Sequence, residues 1–162
     1  MSRSAQVKRD TKETQIAVQL ELDGTGKSSL DTGIKFFDHM LDGFARHGLF
    51  DLKVVCKGDI QVDCHHSIED TGIVLGNAIK EAVGDKKGIR RYGYFILPMD
   101  EALVLCALDL SGRPYFVYDA QFIGDRCGEM DTQMTKEFFY AVSYAAGMNL
   151  HIKVLYGEND HH

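Results

Sequence analysis

The residues best suited to chemistry are concentrated at positions 63–70, where two adjacent histidines, a glutamate and two aspartates open a predicted helix. Adjacent side chains on a helix diverge by roughly 100°, whereas side chains four residues apart share a face. We therefore expect His65 and Glu69 to bind one metal ion together and His66 to face another. The spacing predicts two ions whose remaining ligands come from elsewhere in the chain.

Further candidate ligands lie outside this segment. His39 and His47 fall on the side of a predicted helix that faces away from its apolar residues. Glu137 precedes a second pair, His161-His162, by nearly the interval that separates His39 from the first pair. It is therefore interpreted as the counterpart of His39. A clipped purification tag is the alternative explanation of the second pair, but residues 156–160 do not have the composition of a linker.

The candidate metal ligands are thus His39, His65, His66, Glu69, Glu137, His161 and His162. Imidazoles suit zinc, iron or nickel, whereas carboxylates favour manganese. The ligand types alone do not select the metal.

Two arginines provide the other half of a candidate site. Arg91 opens a predicted strand, and Arg113 follows a turn at residues 109–112. A guanidinium held on rigid backbone is suited to bidentate binding of phosphate, although a surface ion pair is the alternative for each arginine. Together with metal ligands, the arginines suggest a small phosphorylated substrate.

The elements that must position these residues occur in a repeated order. Hydrophobic periodicity predicts strands at 14–22, 27–32, 50–57, 92–98, 101–110, 114–119 and 149–156, and helices at 36–48, 67–83 and 133–146. We interpret this as an α+β protein in which a β-β-β-α-β-α unit is duplicated, with copies at 1–87 and 88–162 sharing one fused core. Two sheets should pack with helices between or beside them. The second copy lacks the last helix of the unit, which we expect in a longer polypeptide.

Composition narrows the classes of function. A formal net charge of −6 does not provide the positive field that a nucleic-acid binder needs. No apolar run approaches the roughly 20 residues that cross a bilayer, and no secretion signal opens the chain, so a cytoplasmic location is expected. Four cysteines without a C-x-x-C pair are expected to be free thiols.

Motifs spread over nearly the whole chain resemble, in order, the signature segments of the imidazoleglycerol-phosphate dehydratase family. They are found at residues 11–14, 23–26, 37–42, 47–51, 65–70, 100–103, 109–115 and 150–162, and include Asp-Gly-Thr-Gly, His-His-x-x-Glu-Asp and Asp-Leu-Ser-Gly-Arg-Pro. The resemblance implies a duplicated fold like the second domain of ribosomal protein S5. It also implies a large octahedral homo-oligomer (24-mer), active sites between subunits and two manganese ions (Mn²⁺) in each site.

Residue roles follow from the same resemblance. It implies metal ligands at His39, His65, His66, Glu69, His161 and His162, and substrate contacts at Glu13, His39, His47, His65, Glu69, Arg91, Arg113 and His161. Of these, Glu13, His47 and Glu69 are the candidate catalytic residues. Glu137 stands where family members often have histidine, and we expect the carboxylate to replace that imidazole as a ligand. A later glutamate of the second His-His-x-x-Glu motif and a C-terminal Ser/Lys phosphate segment are absent from this sequence.

The implied reaction removes water from imidazoleglycerol phosphate and gives imidazoleacetol phosphate. It is a metal-assisted hydro-lyase step of L-histidine biosynthesis. The same His/Glu/Arg set would also fit a dinuclear metal phosphatase or hydrolase, or a metal-binding protein without catalytic activity.

Overall fold

A computed structural model describes residues 2–162. The first half contains β1 (Ser4–Asp10), β2 (Thr14–Glu21), β3 (Ser28–Asp31), α1 (Lys35–Gly48), β4 (Asp51–Gly58) and α2 (His65–Val83). The second contains β5 (Tyr92–Met99), β6 (Ala102–Asp109), β7 (Tyr115–Asp119), β8 (Arg126–Cys127), β9 (Met130–Asp131), α3 (Met134–Ala146) and β10 (Asn149–Tyr156).

Each half of the chain forms its own four-stranded sheet, and the two sheets have the same topology. Their orders are β1-β2-β4-β3 and β5-β6-β10-β7, with one parallel pairing at the same edge of each. The predicted α+β fold with a duplicated β-β-β-α-β-α unit is therefore confirmed. The boundary at 87/88 falls in the connection between α2 and β5 and stays a prediction.

The core lies between the sheets, where the helices pack. Alternation along β2 buries Ile16, Val18 and Leu20 on the face that α2 covers. Helices α2 and α3 pack closely because α2 carries Gly72 and Gly76 at the contact. A methyl group on Gly76 would lie 2.7 Å from the Ala145 side chain.

Several details differ from the pattern-based expectations. Strand β1 and the short β8–β9 hairpin were not among the predicted strands, and α2 begins at His65 rather than at residue 67. The predicted apolar face of α1 is only partly buried, since Met40 and Phe44 are exposed while Phe37, Leu41 and Ala45 are buried.

The second sheet is less covered than the first. Phe95 and Leu97 share a face with Cys106 and Val104 by register, yet they are 66% and 56% exposed. No helix within residues 2–162 packs on β5 and β6 as α2 packs on β1 and β2. None of the helices in that span is both long and apolar enough to cross a membrane.

Candidate functional site

The first turn of α2 presents His65 and Glu69 on one face, as their spacing predicts. Asp63 Oδ1 accepts the backbone N–H of His65 at 2.8 Å and so holds the start of the helix. His65 Nε2 and Glu69 Oε2 lie 3.1 Å apart, and both side chains are partly exposed. A nitrogen and a carboxylate oxygen at this separation can converge on one cation.

His66 points away from His65 and contacts a different carboxylate. The two rings are nearly perpendicular, with centroids 5.9 Å apart. His66 Nδ1 lies 2.9 Å from Asp59 Oδ2, in the loop that follows β4. This hydrogen bond, reinforced by the charges of Asp59, Glu13 and Asp63, raises the pKa of His66.

Glu13 lies beside this helix end because its hairpin is tied to α2. The neighbouring Thr14 hydroxyl donates to Asp70 Oδ2 at 2.6 Å, and the charge of Glu13 contributes to the raised pKa of His66. Glu13 directly precedes β2, just as Glu101 directly precedes β6. The two glutamates therefore occupy equivalent positions in the two copies.

The second histidine pair is held by the β5–β6 hairpin. His162 Nδ1 lies 2.8 Å from Glu101 Oε2, and Glu101 Oε1 accepts the backbone N–H groups of Glu158 and Asn159. The hydrogen bond from His162, together with the backbone donors, lowers the pKa of Glu101 to about 2. The loop before the pair is thus fixed to the same carboxylate as the histidine ring.

His39 and His161 meet across the two copies. Their ring centroids are 5.6 Å apart, and Phe36 packs edge-on against His161 at 5.1 Å. Glu137 occupies the α3 position that corresponds to His39. Each helix ends at a residue with a left-handed backbone conformation, Leu49 for α1 and Gly147 for α3. His39 and Glu137 each lie ten residues before that end.

The two arginines lie together around Asp109. Arg91 donates through Nε to Asp109 Oδ1 at 2.6 Å and through Nη2 to Oδ2 at 3.1 Å. The hydrogen bond from Arg91 and the charges of Arg91, Arg113 and Lys86 lower the pKa of Asp109. The Arg91 guanidinium keeps further N–H donors free. We call Arg91, Arg113 and Lys86 the cation cluster; it could bind a phosphate.

The cation cluster and the histidine pairs lie at opposite ends of the molecule. Glu101 and His162 sit beyond the end of β5, and Arg91 sits before its start, roughly 24 Å away at about 3.4 Å per residue. His65 and Lys86 are likewise separated by the length of α2, on the order of 27 Å. His47 lies near the C-terminal end of α1, and no hydrogen bond or ion pair within residues 2–162 reaches its side chain.

Within one chain, the candidate metal ligands lie together only in pairs, such as His65 with Glu69 and His39 with His161. Within residues 2–162, no three histidine, cysteine, aspartate or glutamate side chains gather closely enough to hold one ion. The donors themselves fit a divalent metal ion, since imidazole nitrogens and carboxylate oxygens occur together.

Three residues of the site region were missed by the sequence reasoning. Asp59 contacts His66, 7 residues away, and Glu101 contacts His162, 61 residues away. Lys86 lies close to Gly112: a methyl group added to this glycine would lie 3.0 Å from Lys86 Nζ. Glu101 stands in a segment quoted for the family resemblance, which was the one available signal. The other two contacts arise only from the fold.

Comparison with known proteins identifies the relatives of this chain. The family model described as imidazoleglycerol-phosphate dehydratase matches residues 32–162. Enzymes of that name from Lachnoclostridium phytofermentans and Acetivibrio thermocellus are 62% and 58% identical over all 162 residues, which span 83% of each relative. The crystal structure of the Staphylococcus aureus enzyme superposes with a TM-score of 0.87 at 36% identity, covering 98% of this chain and 87% of that one.

Proposed function

Because the chain belongs to the imidazoleglycerol-phosphate dehydratase family, we propose that it converts imidazoleglycerol phosphate to imidazoleacetol phosphate and water in histidine biosynthesis. The observation that carries the proposal is the presentation of two His-His pairs at one end of a duplicated fold. The second ring of each pair is already oriented by a carboxylate through Nδ1. Ligand pairs arranged in this way suit metal-assisted chemistry, and the family supplies the substrate.

We propose manganese as the cofactor, with two ions in each active site. Its ligands would be His39, His65, His66, Glu69, Glu137, His161 and His162. When bound, manganese would act as a Lewis acid and template that stabilises negative charge on the substrate imidazole. His65 and Glu69 support this assignment, because their donor atoms already converge within 3.1 Å.

Glu13 is the proposed proton-transfer group. The reaction expels the hydroxyl from the carbon beside the ring and takes a weakly acidic hydrogen, as a proton, from the next carbon. This leaves an enol that becomes the ketone, and the proton and hydroxide leave as water. Glu13 lies beside His66, and its carboxylate has no hydrogen bond or ion pair within residues 2–162. A carboxylate held near the substrate but not engaged elsewhere can move this proton. His47 and Glu69 complete the proposed catalytic set.

The cation cluster is the proposed phosphate site. Asp109 fixes the plane of Arg91 through two hydrogen bonds, so the remaining donors of the guanidinium keep one orientation. Arg113 and Lys86 add positive charge at the same end. A dianionic phosphate matches this arrangement.

The distance between the two ends supports an active site to which more than one copy of the chain contributes. A substrate the size of imidazoleglycerol phosphate cannot bridge the length of α2, on the order of 27 Å. We therefore propose a homo-oligomer in which the cation cluster and His47 of one copy complete the histidine site of another. The octahedral 24-mer is its proposed form, and the cytoplasm is its proposed location.

Product analysis tests the proposed reaction. The protein is incubated with imidazoleglycerol phosphate, and both the ketone product and free inorganic phosphate are measured. We expect imidazoleacetol phosphate without phosphate release. Release of inorganic phosphate would favour a dinuclear phosphatase, and an unchanged substrate would favour a metal-binding protein without activity.

A further inference from the structure

The second histidine of each pair is bound to a carboxylate in the same way. His66 Nδ1 lies 2.9 Å from Asp59 Oδ2, and His162 Nδ1 lies 2.8 Å from Glu101 Oε2. An ionised carboxylate only accepts hydrogen bonds, so each Nδ1 carries the hydrogen. The lone pair of each ring is therefore on Nε2. In His162 this atom also has Asp100 Oδ2 nearby, at 3.7 Å, which is beyond hydrogen-bond distance.

The carboxylates come from different places in the two copies. Asp59 follows β4 in the connection 59–64, whereas the corresponding connection in the second copy, 157–160, is shorter. There the backbone N–H groups of Glu158 and Asn159 donate to Glu101, which reaches across from the β5–β6 hairpin. The glutamate at the equivalent hairpin position of the first copy is Glu13, and it makes no hydrogen bond to His66.

We infer that Asp59 and Glu101 are positioning residues that orient His66 and His162 for metal binding, and that Asp59 leaves Glu13 free to act on the substrate. This inference rests on the proposed function. Outer carboxylates of this kind fix the tautomer and the ring direction of a metal-binding histidine. The glutamates at the equivalent hairpin positions thus have different roles: Glu101 orients the metal-binding ring of His162, and Glu13 is left to act on the substrate.

Manganese titration of the metal-stripped protein tests the inference without measuring turnover. Free Mn²⁺ is followed by electron paramagnetic resonance for the unmodified protein and for Asp59→Asn, Glu101→Gln and Glu13→Gln. We expect the Mn²⁺ concentration at half-saturation to rise roughly 10- to 100-fold for the first two variants. Glu13→Gln, altered at the position equivalent to Glu101, should match the unmodified protein.

The variants also control for folding. The Asp59 side chain makes its only hydrogen bond within residues 2–162 to His66, so Asp59→Asn should keep its unfolding temperature in chelator. If Glu101→Gln loosens the loop that Glu101 holds at residues 158–159, the result for Asp59→Asn alone decides the test. Half-saturation within twofold of the unmodified protein for Asp59→Asn would overturn the inference, as would an equal loss for Glu13→Gln. No saturable binding by the unmodified protein would overturn the proposed metal site itself.

Discussion

At the scale of single residues, a change at Glu13 distinguishes its proposed role in proton transfer from a role in metal binding. Glu13→Gln keeps the shape of the side chain but removes its ability to accept a proton. Positioned acid–base groups contribute on the order of 100- to 10,000-fold, so we expect turnover to fall by about 100-fold or more. Metal content, measured by elemental analysis of the same sample, should not change. Unaltered turnover would remove Glu13 from the mechanism.

Arg91 makes a second prediction at this scale. Arg91→Lys keeps the charge but loses the planar fork that Asp109 holds, and we expect KM to rise roughly tenfold or more with a smaller change in kcat. Steady-state kinetics provide the measurement. The neighbouring Arg90 is exposed, and Arg90→Lys is the matched control that should leave KM unchanged. Equal effects of both variants would contradict a specific phosphate contact.

The sequence allowed contacts to be predicted only between residues that are close together along one element. His65 and Glu69 share a face because four residues make about one helical turn, and the structure has them 3.1 Å apart. Glu101 and His162 are 61 residues apart in sequence. No local periodicity reports such a contact, which exists only because β5–β6 and β10 belong to one sheet.

At the scale of elements, the close packing of α2 on α3 depends on glycine. A methyl group on Gly76 would approach the carbonyl oxygen of Val142 and the Ala145 side chain at 2.7 Å each, so Gly76→Ala should destabilise the fold by about 1–3 kcal/mol. On α1, Gly43 has no atom within 4 Å of the added methyl group, and Gly43→Ala should stabilise by about 0.5–1 kcal/mol. Urea unfolding measures both, and effects of the same sign would contradict this view of the interface.

Elements were predictable where the hydrophobic pattern was regular. Strand β2 alternates buried and exposed residues over its length and was predicted. Strand β1 was not predicted. Its last three residues are Lys8, Arg9 and Asp10, which break the alternation of apolar and polar residues. It also lies at the edge of the sheet, where charged side chains are common. The β8–β9 hairpin has only two residues in each strand, too few for any periodicity to show.

At the scale of the whole molecule, the account requires that copies share active sites. His162→Ala removes a proposed metal ligand and Arg113→Ala removes a proposed phosphate contact, so each variant alone should be nearly inactive. When both are co-expressed and purified as mixed oligomers, sites that combine an intact histidine end with an intact cation cluster should regain activity. Mixed oligomers as inactive as the parents would show that each copy works alone.

The most direct test of the proposed metal-dependent dehydration is an activity assay. Formation of imidazoleacetol phosphate from imidazoleglycerol phosphate is measured by ultraviolet absorbance, first with chelator-stripped protein and then with Mn²⁺ restored. We expect negligible turnover without metal and full recovery on adding Mn²⁺. Turnover at the same rate in the stripped protein would contradict a metal-dependent dehydratase built on the two histidine pairs.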